Sequence, residues 1–226
     1  MIRERLSGGL VVSVQAQADS LLNTPDTIAL LARVAERNGA AGVRIEGAAR
    51  IAAVRRAVAL PIIGIIKRAY AGFDPYITVT EREVEAAAAA GADIIAFDAT
   101  LRPRPDGTSV AALAATIRAR GALPMADCAD LHDARAAAAD GAALIATTLC
   151  GYTAATRGTA LPALDLVRAM CGVGPFVVCE GGVASPGDVR LAFAAGAGAV
   201  VVGTAITNID VLVQRFASAA PQAPER

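Results

Sequence analysis

The chain has no tryptophan, a single histidine, four cysteines and few aromatic residues. No apolar run approaches the roughly 18 to 20 residues that cross a bilayer, so no membrane partner is expected. The cysteines, Cys128, Cys150, Cys171 and Cys179, are scattered without CxxC or CxxH spacing. That argues against a zinc site or a disulfide framework and fits reduced thiols in a cytoplasmic protein. The segment Met1-Ile2-Arg3-Glu4-Arg5-Leu6-Ser7 carries charge but no apolar stretch ahead of a small-residue cleavage site, so no signal peptide is expected. Charge of neither sign is in excess, with 21 basic and 21 acidic residues. This removes any general attraction to nucleic acid or anionic membrane, and any anion site must be local. His132 follows Asp130-Leu131 at a helix start and reads as a surface residue. Cys128 and Cys150 have no histidine partner in sequence reach, which disfavours a nucleophilic role.

Lysine is the most informative scarcity. Of the 21 basic residues, Lys67 is the only lysine and the other 20 are arginines. Arginine stays protonated in proteins, whereas a buried ammonium can lose its proton. Compositional bias alone would also leave a lone lysine, so its position has to decide.

What is abundant is hydrophobic residue, 55% of 226, enough for a large core. Short β-branched runs alternate with alanine-rich amphipathic stretches. The apolar runs are Leu10–Val14, Ala41–Ile45, Pro61–Ile66, Asp93–Phe97, Ala122–Ala126, Ala143–Thr147, Phe176–Cys179 and Ala199–Val202. Between them, Thr24-Pro25-Asp26 opens a helix that Asn38-Gly39 closes, and Thr80 with Glu83 forms a capping-box pattern. The last helix is expected over Ile206–Ala217. Glycine followed by alanine recurs before strands, as a helix stop under close packing. Eight such units predict one α/β domain over 1–226, a (β/α)₈ TIM barrel, with 217–226 a flexible tail. A doubly wound open sheet is the rival, but it usually carries a nucleotide fingerprint that is absent here.

In such barrels the active site forms where strand C-termini meet the following loops. The residues there are Gln15, Arg44, Lys67, Asp98, Asp127, Thr147-Thr148 and Glu180, with the Gly203-Thr204 turn last. Asp98 and Asp127 could each be a helix cap, but a full ring of polar residues and glycine is better explained by a site. The loops after strands 7 and 8, with Gly181, Gly182, Gly203 and Thr204, match a phosphate grip; ligand-free tight turns are the alternative. Lys67 follows Ile62, Ile63, Ile65 and Ile66, so its amine can be desolvated, and Arg44 and Arg68 push its pKa the same way. Such an amine can take a proton beside a carbonyl or form a Schiff base, and Glu180 can polarise that carbonyl or return a proton. An ordinary Lys67–Glu180 ion pair is the plainer reading.

Several strings are similar to those of the N-acylglucosamine-6-phosphate 2-epimerase family. They are Gly9-Leu10-Val11-Val12-Ser13-Val14-Gln15-Ala16, Gly64-Ile65-Ile66-Lys67-Arg68, and Phe97-Asp98-Ala99-Thr100-Leu101 with Arg104-Pro105. Met125-Ala126-Asp127, Thr147-Thr148-Leu149-Cys150-Gly151-Tyr152-Thr153, Cys179-Glu180-Gly181 and Val202-Gly203-Thr204-Ala205-Ile206-Thr207 follow in order, so the likeness runs from about Gly8 to Phe216. The resemblance implies conversion of N-acetylmannosamine 6-phosphate into N-acetylglucosamine 6-phosphate in bacterial sialic acid and amino sugar breakdown. It implies catalytic roles for Lys67 and Glu180, and sugar binding by Gln15, Arg44, Asp127, Thr148 and Tyr152. Phosphate binding would fall to Gly181, Gly182, Gly203 and Thr204. It implies no metal or organic cofactor, and a homodimer fits both it and the apolar composition. The chain departs from the family pattern with Asn208 where arginine is common, Gly182 after Glu180-Gly181, and Cys150 where serine or histidine is frequent. Two rival functions remain: a Schiff-base sugar-phosphate aldolase or lyase using Lys67, and a phosphosugar-binding barrel without catalysis.

Overall fold

The computed structural model describes residues 2–221. Eight parallel strands close on themselves in chain order: β1 (Gly9–Val14), β2 (Gly42–Glu46), β3 (Ile62–Ile65), β4 (Ile94–Asp98), β5 (Leu123–Asp127), β6 (Leu144–Ala146), β7 (Phe176–Cys179) and β8 (Ala199–Val202). The (β/α)₈ expectation holds, and β7 and β8 begin and end where the sequence predicts. In the other strands each boundary that differs does so by one residue.

The helices wrap the barrel. They are α1 (Ile2–Leu6), α2 (Pro25–Arg37), α3 (Ala48–Ala57), α4 (Glu81–Ala89), α5 (Val110–Ala119), α6 (Leu131–Ala139), α7 (Leu164–Met170), α8 (Pro186–Ala194), α9 (Thr204–Thr207) and α10 (Ile209–Ala219). None of the described helices is long and apolar enough to cross a membrane. Their starts are chemically marked. Thr24, Ser109, Asp130 and Ser185 each accept an amide from the first turn, and Thr80 with Glu83 completes the expected capping box.

Two expectations need correction. α1 was not foreseen; Leu6 from it is fully buried and joins the cluster inside the barrel. The single helix expected over 206–217 is two, because the Asn208 side chain accepts the Val211 amide (3.2 Å) and starts α10 afresh. α10 then runs through Ala219, so the expected tail is helical at its start; residues 222–226 lie outside the described part.

The strands carry two buried faces. Val12, Val43, Ile45, Phe97, Ile145 and Val200 pack under the helices, whereas Val11, Ile63, Ile94, Met125, Leu144 and Val178 fill the barrel. Side chains on a strand alternate, so each inward row continues two residues later. From the filled interior those rows step to Ser13, Lys67, Asp98, Asp127, Thr148, Glu180 and Gly203 at the C-terminal rim. Apolar layers below and a polar layer above thus follow from one period of two.

Candidate active site

A cavity of about 760 Å³ opens at the C-terminal rim. Its wall includes Gln15, Arg44, Lys67, Thr148, Tyr152 and Glu180, and also Gly181, Gly182, Gly203 and Thr204. Ten of the eleven site residues expected from sequence therefore meet in one space. The eleventh, Asp127, is fully buried and sits behind the wall. His132 is exposed on α6, and Cys128 and Cys150 are buried away from the cavity lining. Burial pushes both thiols up, which keeps them protonated and unreactive.

Arg44, only 1% exposed, is the centre of the floor. Its Nη1 and Nη2 donate to Asp127 Oδ1 (3.1 Å) and Oδ2 (2.6 Å), and Nη1 also donates to Glu180 Oε2 (2.8 Å). Burial opposes its charge, but Asp127 and Glu180 outweigh that and hold its pKa above the ordinary value. Thr148 Oγ1 lies 2.7 Å from Asp127 Oδ1 and 3.3 Å from Glu180 Oε2, spanning the two carboxylates. Thr147, one residue earlier, points the other way. Its hydroxyl donates to the Glu180 carbonyl (2.8 Å) and accepts the Glu180 amide (3.0 Å), pinning the backbone that carries the carboxylate.

Two carboxylates share one guanidinium, so one of them is under-compensated. Desolvation pushes Glu180 up first; Arg44 pulls it down, Asp127 pushes it up again, and the balance places it at about 7. Glu180 can therefore be a neutral acid or an anion near physiological pH.

Lys67 lies just past β3, where it bridges in antiparallel fashion to Ile77 of the following loop. Its Nζ donates to Gln15 Oε1 (2.7 Å), and Gln15 Nε2 donates to Ser13 Oγ (2.7 Å). The side chain is exposed and lines the cavity, so the amine is reachable from it. Lost hydration, and then the charge of Arg44, lower its pKa against the pull of Glu46, Glu180 and Asp127. In a closed ring of eight, β3 and β7 stand opposite each other, so Lys67 and Glu180 approach the cavity from opposite sides. Among the described residues no ion pair joins them; each is held by other partners.

Above β7 and β8 the backbone is open. Gly181 and Gly182 have φ of +101° and +71°, and a Cβ on Gly182 would fall 2.3 Å from Leu161 Cβ. Left-handed φ and that contact together demand glycine at 182 in this chain. Opposite, the short helix α9 begins at the cavity wall with Thr204 and Ala205. Backbone amides at such a helix start suit an oxyanion. Asp98 is not part of the cavity lining. It is fully buried, accepts from Thr100 and pairs with Arg102 (2.8 Å), so it organises the loop after β4. Sequence reasoning missed Ser13, Tyr76, Arg50 and Arg215, which also line the cavity. Ser13 was recoverable from the period of two; the others sit in loops or on helices whose paths the strand pattern does not specify. Among the described residues no group of three or more His, Cys, Asp or Glu side chains converges as a metal centre.

Comparison with known proteins agrees on one family. The family described as "Putative N-acetylmannosamine-6-phosphate epimerase" matches residues 28–222. A Synechococcus elongatus protein named "Putative N-acetylmannosamine-6-phosphate 2-epimerase" is 48% identical over 95% of this chain and 94% of its own length. A Yersinia pestis protein of the same name is 45% identical over 98% and 94%. The solved N-acetylmannosamine-6-phosphate 2-epimerase from Clostridium perfringens superposes with a TM-score of 0.93 at 34% identity, covering 97% of this chain and 96% of that one. Thiamine phosphate pyrophosphorylase from Pyrococcus furiosus, at 15% identity and a TM-score of 0.60, shares the fold.

Proposed function

The chain belongs to the N-acetylmannosamine-6-phosphate epimerase family, and from that premise we propose how its cavity inverts C2 of N-acetylmannosamine 6-phosphate to give N-acetylglucosamine 6-phosphate. The protein is an isomerase acting on a small sugar phosphate. The observation that carries the mechanism is the opposition of Lys67 and Glu180 across the cavity, each with its pKa displaced toward neutrality.

Inversion requires a proton to leave one face of C2 and another to arrive on the opposite face. The sugar opens to its aldehyde, which makes the C2 hydrogen acidic. Neutral Lys67 takes that proton, and the C–H electron pair moves into the C1 carbonyl to form an enolate. Protonated Glu180 then donates to C2 from the other face, and the carbonyl re-forms. Lys67 ends as ammonium and Glu180 as carboxylate, which is the starting state for the reverse reaction. Gln15 aims the amine through its 2.7 Å bond, and Arg44 with Thr148 orients the carboxyl. Preorganised donors around the developing oxyanion supply the largest stabilisation in sites of this kind. The phosphate rests against Gly181, Gly182, Gly203 and Thr204, the usual place for it after strands 7 and 8.

Proton NMR of N-acetylmannosamine 6-phosphate with the enzyme in heavy water tests this directly. The expected result is conversion to the C2 epimer with solvent deuterium at C2. Conversion with C2 protium fully retained would overturn proton exchange, and covalent trapping on Lys67 by borohydride would favour a Schiff base. The free cysteines support a cytosolic setting. The exposed apolar row Ile209, Val213 and Phe216 on α10 supports a homodimer, which sedimentation velocity can check.

A further inference from the structure

Four basic side chains line the cavity, and three are committed. Arg44 is clamped by Asp127 and Glu180, Arg50 by Glu46, and Lys67 is bound to Gln15. Arg215 is the fourth, and its side chain has no hydrogen bond or ion pair among the described residues. It is exposed on α10 yet lines the same cavity as Gly203, Thr204 and Asn208. Seven residues separate Arg215 from Asn208, two helical turns, so both lie on one face of α10 about 10 Å apart along its axis. Helical side chains lean toward the N-terminus, so a long arginine there reaches back toward the α9 turn.

We infer that Arg215 is the specificity-determining cation of the phosphate end of this cavity, reaching from α10 to pair with the phosphate dianion of the sugar. This rests on the sugar-phosphate reading above. The backbone cradle supplies partial charges and fixed donors, but no neighbouring side chain there offers a free full charge. Arginine suits the task because its fork can engage two phosphate oxygens at once. Because it touches the phosphate and not the reacting carbon, its loss weakens binding of substrate and transition state alike.

Steady-state kinetics of Arg215→Ala and Arg215→Lys, with inorganic phosphate as competitive inhibitor, test the assignment. Arg215→Ala is expected to raise both KM and the phosphate inhibition constant about 10-fold, the low end for a charge-assisted hydrogen bond at an exposed site. Its kcat should stay within about threefold of wild type, and Arg215→Lys should recover part of the loss. A purely structural role would instead lower kcat and the melting temperature and leave the phosphate inhibition constant unmoved. Unchanged KM and unchanged phosphate inhibition in Arg215→Ala would overturn the inference while leaving the epimerase reading intact. If wild type failed to turn over the phosphosugar, the functional reading would fall. Calorimetric phosphate affinity of wild type against Arg215→Ala would still decide the role of Arg215, equal affinities refuting it.

Discussion

Replacing Asp127 with asparagine probes the linkage between the buried floor and the reactive carboxyl. Asp127 is fully buried and gives both oxygens to Arg44. Removing one partner of a buried pair costs about 3 to 5 kcal/mol, since the remaining charge is left uncompensated. Here Glu180 still holds Arg44 and asparagine still accepts one hydrogen bond, so the low end, about 3 kcal/mol, is expected. For a domain of this size, 1 kcal/mol moves Tm by roughly 2 to 4 °C, giving a fall of about 6 to 12 °C by scanning calorimetry. The chemistry should move as well. Asp127 is one of the charges that raise Glu180, so without it the Glu180 pKa falls from about 7. The acid limb of kcat/KM therefore shifts to lower pH, and less Glu180 is protonated at neutrality to return the proton. A Tm change below about 2 °C, together with an unmoved acid limb, would refute the claim that Asp127 and Glu180 compete for one guanidinium.

Gln15→Glu places an anion where the amide oxygen now accepts from Lys67. The Lys67 pKa should rise, because the new anion stabilises the ammonium, moving the alkaline limb of kcat/KM upward and cutting the optimum about 10-fold or more. A static profile would exclude Gln15 as the positioning residue. For Glu180, the folded pKa of about 7 exceeds the ordinary 4.5, so the folded state holds more protons in that window and stability falls as pH rises through it. The total is on the order of 3 kcal/mol. Glu180→Gln should remove this slope between pH 4.5 and 7, read from denaturant midpoints; an identical slope in both proteins would contradict the desolvated carboxyl.

Much of the fold was legible because each unit repeats the same local chemistry: a capped helix start, a glycine stop, then a β-branched run. The ring of site residues was legible for a geometric reason. A rim residue two positions past an inward-facing Ile or Val must also face inward, as with Ile65 and Lys67 or Val178 and Glu180. The same parity separates Thr148, on the cavity wall, from Thr147, which pins the Glu180 backbone. Long-range commitments were not legible. Nothing local to Arg44 indicates that Asp127, 83 residues away, will hold it. Tyr76 and Arg215 escaped notice because tertiary packing directs the loop after β3 and the path of α10. The break at Asn208 was readable in principle, since asparagine is a strong N-cap, but apolar residues on both sides favour a continuous helix.

The claim on which the rest depends is that Lys67 works as an uncharged amine. Guanidinium cannot serve as that base, so heavy-water NMR of Lys67→Arg beside Lys67→Ala tests it most directly. Both variants should lose epimerisation and C2 deuterium uptake together, each by at least the roughly 10²- to 10⁴-fold of general-base catalysis. Epimerisation by Lys67→Arg at a rate near wild type, with deuterium entering C2, would contradict the account.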